Sequence, residues 1–316
     1  MSKLLSVLAV AVLALSGCGT AASSDGEVVL RVGDQKGGSQ SLLTAAGLLD
    51  DFPYRIEWST FTSGPPLLEA ASAGAIDVGG VGNTPPIFAA AANARIAAVY
   101  SAKGNVESDA LLVPGDSPVK TVRDLKGRGI AVAKGSSAHG QILLTLAAEG
   151  LTTKDVTLNF LQPSDAYSAF TQKRVDAWAV WDPYTSQALL EAGARVLTDG
   201  RGKSNGYTFQ VAGRAALDDP RKEAAIKEFV RRISQAQRWA DTHRDEWARV
   251  WAAETGLKPE VARAAVARGG DLPVKLDDAV IASEQELADA FTADGALPGK
   301  VDFRKFVDTR FQGELS

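Results

Sequence analysis

The sequence predicts an α/β protein of two similar lobes joined by two crossings, with a ligand cleft between them. Two observations carry this expectation. Short runs of β-branched and aromatic residues alternate with amphipathic stretches from Val28 onward, the pattern of βαβ units around a largely parallel sheet. The same pattern then recurs. Gln141-Ile142-Leu143-Leu144-Thr145 falls over Gln40-Ser41-Leu42-Leu43-Thr44, Phe160 under Phe61, Val175-Asp176 under Ile76-Asp77, Val180 under Val81, and Asp182 under Asn83.

In chain order, the strand "VVLRVG" precedes a helix from Ser39 to Leu49. The strand "YRIEWSTF" precedes a helix from Pro65 to Ala73, and "IDVGGVG" one from Pro85 to Ala92. "GIAVAKGSSAHGQILLTLA" opens the second copy. Residues 27–113 with 207–316 are expected to form lobe 1 and its C-terminal helices, and residues 114–206 to form lobe 2. "LLVPGDSPVK" and "GYTFQVAGR" are the expected crossings. From Asp218 the chain turns helical and is expected to pack back on the first lobe.

The N-terminal residues carry a different signal. Lys3, the apolar run Leu4 to Leu15 and Leu15-Ser16-Gly17-Cys18 make the n-region, h-region and small-residue cleavage site of a secretory signal. The run is too short for a bilayer, which takes roughly 20 apolar residues. Residues 1–17 are read as a signal peptide. Cys18, the only cysteine, stands where a bacterial lipoprotein is acylated. Residues 18–26 are read as the lipidated N-terminus and a small polar tether, with the protein exported and anchored to the membrane facing outward.

Several function classes drop out. Acylation of Cys18 leaves no thiol for catalysis, disulfides or metal, and His139 and His243 are too few for a multi-histidine site. A net charge of -4 with interspersed signs marks no nucleic-acid surface. "GGVG" before Asn83 lacks the third glycine of a dinucleotide fingerprint. No metal, cofactor or nucleic acid is expected. Gly135-Ser136-Ser137-Ala138-His139 misses the G-x-S-x-G elbow of hydrolases, and its serines are better placed to cap a helix than to attack.

Ligands of open α/β sheets bind outside the carboxyl ends of the strands. The expected cleft loops are Asp34-Gln35-Lys36, Thr62-Ser63-Gly64 and Gly82-Asn83-Thr84 in one lobe. Gly135 to His139, Gln162-Pro163-Ser164 and Trp181-Asp182-Pro183-Tyr184 face them. "KGSSAHGQILL", "SGPPLLEA" and "GNTPPIFAA" each aim a helix N-terminus at the cleft, a setting suited to a small oxyanion. Trp239, Trp247 and Trp251 recur at helical spacing and read as a core stripe. The charges between Arg221 and Glu246 read as a solvated helix face. Asp77 and Asp176 read as bonding nearby backbone.

The SGP-LLEA, TPPIF, KGSS-H and VDAW-WDPY segments, with the late "GKVDFRKFVD", resemble the aliphatic sulfonate-binding proteins of ABC importers, in a wider group that takes in taurine, nitrate and thiamine-precursor binders. The resemblance implies the type II periplasmic-binding-protein fold and capture of a small organosulfonate for an ABC permease and its ATPase, with no catalysis. It assigns ligand contacts to Gln35, Ser63, Gly64, Asn83, Thr84, Ser136, Ser137, His139, Trp181 and Asp182, with the organic tail against Trp181 and Tyr207 or Phe209. Two departures stand out: Asp34 replaces a common aromatic and Asn83 a common aspartate. An acid at 34 would repel an anion, pair with Lys36 or recognise a ligand amine. Nitrate or a heterocyclic vitamin precursor is the rival ligand, and an enzyme on the same fold is the rival class.

Overall fold

The structure is a computed structural model in which residues 27–314 are described; the expected signal peptide, Cys18 and the tether lie outside them. The chain begins with β1 (Val29–Gln35), α1 (Ser39–Ala45), β2 (Arg55–Phe61), α2 (Gly64–Ser72), β3 (Val78–Gly82), α3 (Thr84–Ala91) and β4 (Ile96–Lys103). It crosses to β5 (Ala110–Pro114), β6 (Gly129–Val132), α4 (Ser137–Ala148), β7 (Thr157–Phe160), α5 (Pro163–Thr171), β8 (Ala177–Val180), α6 (Tyr184–Glu191) and β9 (Ala194–Asp199). It returns as β10 (Tyr207–Gly213), α7 (Arg214–Leu217), α8 (Pro220–Thr242), α9 (Arg244–Thr255), α10 (Pro259–Ala267), β11 (Leu272–Val274) and α11 (Asp278–Asp294).

One sheet has the order β11-β4-β10-β3-β1-β2 and the other β7-β6-β8-β5-β9. In each, three strands pair in parallel around a central β1 or β6. The next strand, β10 or β5, runs antiparallel and arrives from the other lobe. Apart from the edge strand β11, the two sheets therefore repeat one plan, and both are mixed rather than largely parallel.

The crossings differ from the sequence expectation. "LLVP" and "YTFQVAG" are themselves strands, β5 and β10, because each apolar run finds ladder partners on both sides. The change of lobe lies before Ala110 and not after Val113, and the chain passes between lobes at residues 104–109 and 200–206. α1 is also shorter than expected. It stops at Ala45, and Gly47 at φ +66° turns the chain away.

The six-stranded sheet is covered on both faces. Leu67, Ile87, Leu287 and Phe291 of α2, α3 and α11 fill one side; Leu43, Ile226, Phe229 and Ile233 of α1 and α8 fill the other. α8 starts where Asp219 accepts the Arg221 and Lys222 N–H groups and Pro220 takes the first helical position. The C-terminal helices also reach the second lobe. Leu143 of α4 is buried in the same core as Leu287 and Phe291, and Lys258 Nζ pairs with Glu191 at 3.2 Å.

The repeat extends to single atoms. The Asp77 carboxylate accepts the Arg31 N–H at 2.8 Å, and Asp77 N–H returns a bond to the Arg31 carbonyl at 2.7 Å. Asp176 does the same with Gly129, at 2.9 and 2.8 Å. Both aspartates bond backbone, as their sequence context implies. Their ion pairs differ. Asp77 is 2% exposed and holds Arg31 at 2.6 Å and Lys222 at 2.5 Å, whereas Asp176 is 39% exposed with Arg128 at 3.0 Å. Removing one member of a buried pair strands the others. Asp77→Ala is expected to lower unfolding free energy by about 2–4 kcal/mol, and Asp176→Ala by about 1 kcal/mol or less. Urea titration of both variants measures the difference; equal losses would contradict it.

Candidate ligand-binding cleft

A cavity of about 340 Å³ lies between the lobes, a size for a small organic molecule. The loops after β1, β3, β6 and β8 reach it, as do β10, both crossings and helices α8 to α10. Of the residues expected to touch ligand, Gln35, Gly64, Asn83, Ser136, Ser137, Trp181 and Asp182 line it. Ser63, Thr84 and His139 do not.

Each of the three is turned to another task. Ser63 is fully buried and donates to Gln162 Oε1 at 2.9 Å; Thr62 donates to the same oxygen at 3.0 Å. That oxygen thereby ties the two lobes together. Thr84 donates to Asn83 Oδ1 at 3.0 Å. His139 accepts the Gly135 N–H at Nδ1, 3.1 Å away, with its ring among Phe88, Phe160 and Phe291. Burial pushes its pKa down to about 4, helped by Lys134 and opposed by Asp294. It is a neutral acceptor packed under the loop, not a donor to the cleft.

The starts of α2, α3 and α4 meet at the cavity. A Cβ added to Gly82 would lie 3.0 Å from Ser137 Oγ across the lobes, so the loops of the two lobes pack tightly here. The three N-cap residues, Ser63, Asn83 and Ser136, are of types that normally cap, yet none makes a side-chain cap. Ser63 is bound to Gln162. Asn83 donates to Asn205 Oδ1 of the second crossing at 2.7 Å. Ser136 donates to the Ala133 carbonyl at 2.7 Å. Pro65-Pro66 and Pro85-Pro86 remove two N–H groups from each first turn of α2 and α3. Gly64, Thr84, Ser137 and Ala138 keep theirs, and none has a protein acceptor among the described residues. Helix dipoles add partial positive charge at the same place.

α1 is the exception. Asp34 accepts the Ser39 and Gln40 N–H groups at 2.7 and 2.9 Å, so this helix start is closed to an external anion. Burial raises the Asp34 pKa to about 6, against those backbone bonds. Asp182 accepts the Ser186 N–H and hydroxyl at 2.9 and 2.7 Å and pairs with Arg268 at 2.7 Å. Burial still raises its pKa, outweighing Arg268.

The sequence reading missed much of the far wall. Trp247 and Trp251 stack at 5.2 Å and are buried with Leu257 and Val261, as a core stripe implies, but they also line the cavity. Helical spacing puts both rings on one face and cannot tell core from cleft. Asp109, Thr208, Gln210 and Asp271 also line it; they stand on the crossings, on β10 and before β11, away from the strand-end loops that topology points to. Gln162 does not line the cavity but ties its rim.

Two α/β lobes, two crossings and a small cavity with open helix starts define a two-lobed solute-binding protein, of the periplasmic-binding-protein fold. Residues 44–255 match the NMT1-like family. The chain is 35% identical over 320 residues to an aliphatic sulfonates-binding protein of Escherichia coli (strain K12), covering 99% of each. The alkanesulfonate-binding protein SsuA of Xanthomonas axonopodis pv. citri, solved bound to MOPS, matches with a TM-score of 0.82 and 36% identity over 89% of this chain and 98% of that one. This chain belongs to the NMT1-like family, alongside the aliphatic sulfonate-binding proteins. The desulfurization enzyme DszB shares the fold alone, with a TM-score of 0.63 and 18% identity over 91% of this chain and 98% of its own.

The His139 environment has a direct readout. The ring is expected to stay neutral through pH 5–8 and to titrate near 4. Below its unfolded pKa of about 6.5 the unfolded chain binds a proton that the folded ring refuses, so this residue's contribution to stability falls as pH drops towards 4. NMR titration of the ring measures it; an apparent pKa above 6 would contradict the packing described.

Proposed function

We propose that the protein captures a small organosulfonate outside the cytoplasmic membrane and delivers it to an ABC permease, held near it by a lipid on Cys18. The observation that carries this reading is the set of helix starts whose natural caps are turned away. Gly64 and Ser137 line the cleft with N–H groups that no protein acceptor takes, and those of Thr84 and Ala138 lie beside them in the chain. A sulfonate spreads one charge over three oxygens, each an acceptor, and matches several converging donors better than one cation. The Ser137 hydroxyl adds a donor, and the organic part lies against Trp181, Tyr207 and Phe209.

Capture rather than turnover follows from the same residues. His139, the imidazole nearest the serines, is neutral, buried and bonded to backbone. Ser136 donates a hydrogen bond to the Ala133 carbonyl, so Ser136 and His139 are not arranged as nucleophile and base. Two relatives matched over nearly the whole chain are named as sulfonates-binding proteins.

A thermal-shift panel of alkanesulfonates, sulfate, nitrate and thiamine precursors tests the ligand class. A sulfonate at 100 times its Kd stabilises by about 2.7 kcal/mol, several degrees of Tm. A shift with nitrate or heterocycles alone would overturn the sulfonate assignment. In calorimetry, Ser137→Ala is expected to weaken binding about tenfold and Trp181→Ala about ten- to hundredfold. Ser136→Ala, whose hydroxyl bonds Ala133, is expected to cost about 1 kcal/mol of stability and less than about threefold in affinity. Equal affinity losses at Ser136 and Ser137 would contradict the geometry.

A further inference from the structure

The cavity lining carries two opposite chemistries. The helix starts offer N–H donors. The crossings and β10 offer acceptors. Asp109 closes the first crossing and accepts from Ser204 at 3.3 Å. Asp271 stands before β11 and accepts from Thr208 at 2.9 Å. Both line the cavity. Asp109 is raised to about 7, first by burial and then by the charges of Asp271 and Asp182; burial also raises Asp271. No basic side chain offsets either shift.

A second, independent observation sits beside them. Gln210 on β10 is 6% exposed, lines the cavity, and its Oε1 has no hydrogen-bond partner among the described residues. A buried acceptor without a donor costs stability. Two carboxylates and an amide oxygen thus face one cavity from three elements. The cations along it do not answer them: Lys36 is exposed, and exposed Arg244 is held by Asp241 at 2.6 Å.

We propose that Asp109, Asp271 and Gln210 Oε1 form a subsite for a positively charged nitrogen, so that the preferred ligand is a zwitterionic aminosulfonate and not a plain alkanesulfonate. This rests on the sulfonate reading of the helix starts and assigns the acceptors of the same cavity. An ammonium group supplies donors to all three acceptors and the counter-charge that the buried carboxylates lack. A methyl group at the same position would leave them desolvated and unpaired.

Calorimetric titration of the folded chain with 3-aminopropane-1-sulfonate and with butane-1-sulfonate, which replaces the ammonium by a methyl, tests it. The aminosulfonate is expected to bind at least tenfold tighter at pH 7.5. The ratio is expected to fall several-fold in Asp109→Asn and in Asp271→Asn, because the loss falls on the amine-bearing ligand. If butane-1-sulfonate binds as tightly or more tightly, the nitrogen subsite is overturned while the sulfonate reading stands. If neither binds, both fall. A wild-type preference that survives both substitutions would also overturn the assignment to these residues.

Discussion

Backbone N–H groups at a buried helix start must find acceptors, and how each start meets that demand organises this molecule. Asp219 and Asp277 cap α8 and α11, and Asp34 serves α1 from the strand before it. At the cleft the solution changes. Two Pro-Pro pairs delete donors from α2 and α3, and the residues that would cap the remainder are drawn into contacts elsewhere. What is left is a small group of donors, pre-positioned by two sheets, with an acceptor to come from outside.

Two of the three bonds that draw the caps away also reach the other lobe or a crossing. Ser63 of one lobe meets Gln162 of the other, and Asn83 meets Asn205 of a crossing. His139 of α4 sits against Phe88 of α3 and Phe291 of α11. These contacts join the two lobes beside the cleft that the helix starts line. Gly104 and Gly206 of the two crossings also meet, with the Gly104 N–H on the Gly206 carbonyl at 2.9 Å.

The architecture was legible because it is local and repeated. Alternation of strand and helix patterns located β1 to β3 and β6 to β8, and the echo of Gln40 in Gln141 and of Asp77 in Asp176 disclosed the second lobe. The crossings were misplaced because "LLVP" and "YTFQVAG" carry no mark of which sheet they join; that depends on partners far away in sequence. The strand-end loops located Gln35, Gly64, Asn83, Ser136, Ser137, Trp181 and Asp182 at the cleft. Ser63, Thr84 and His139 share those loops but point elsewhere, and side-chain direction within a loop is set by neighbours such as Gln162 and Phe291 that sequence spacing does not disclose. Asp109, Gln210 and Asp271 escaped notice for the same reason: they gather from three elements with no motif in common.

The polarity of the cavity makes one claim above the others, that an anionic group is held where α2, α3 and α4 begin. A crystal structure with 3-aminopropane-1-sulfonate, its sulfur located by anomalous scattering, tests that claim most directly. The account predicts sulfonate oxygens within about 3.2 Å of the Gly64 and Ser137 N–H nitrogens, with the nitrogen towards Asp109 and Asp271. A sulfur atom beside Asp109 and Asp271, or outside the cavity, would contradict the account.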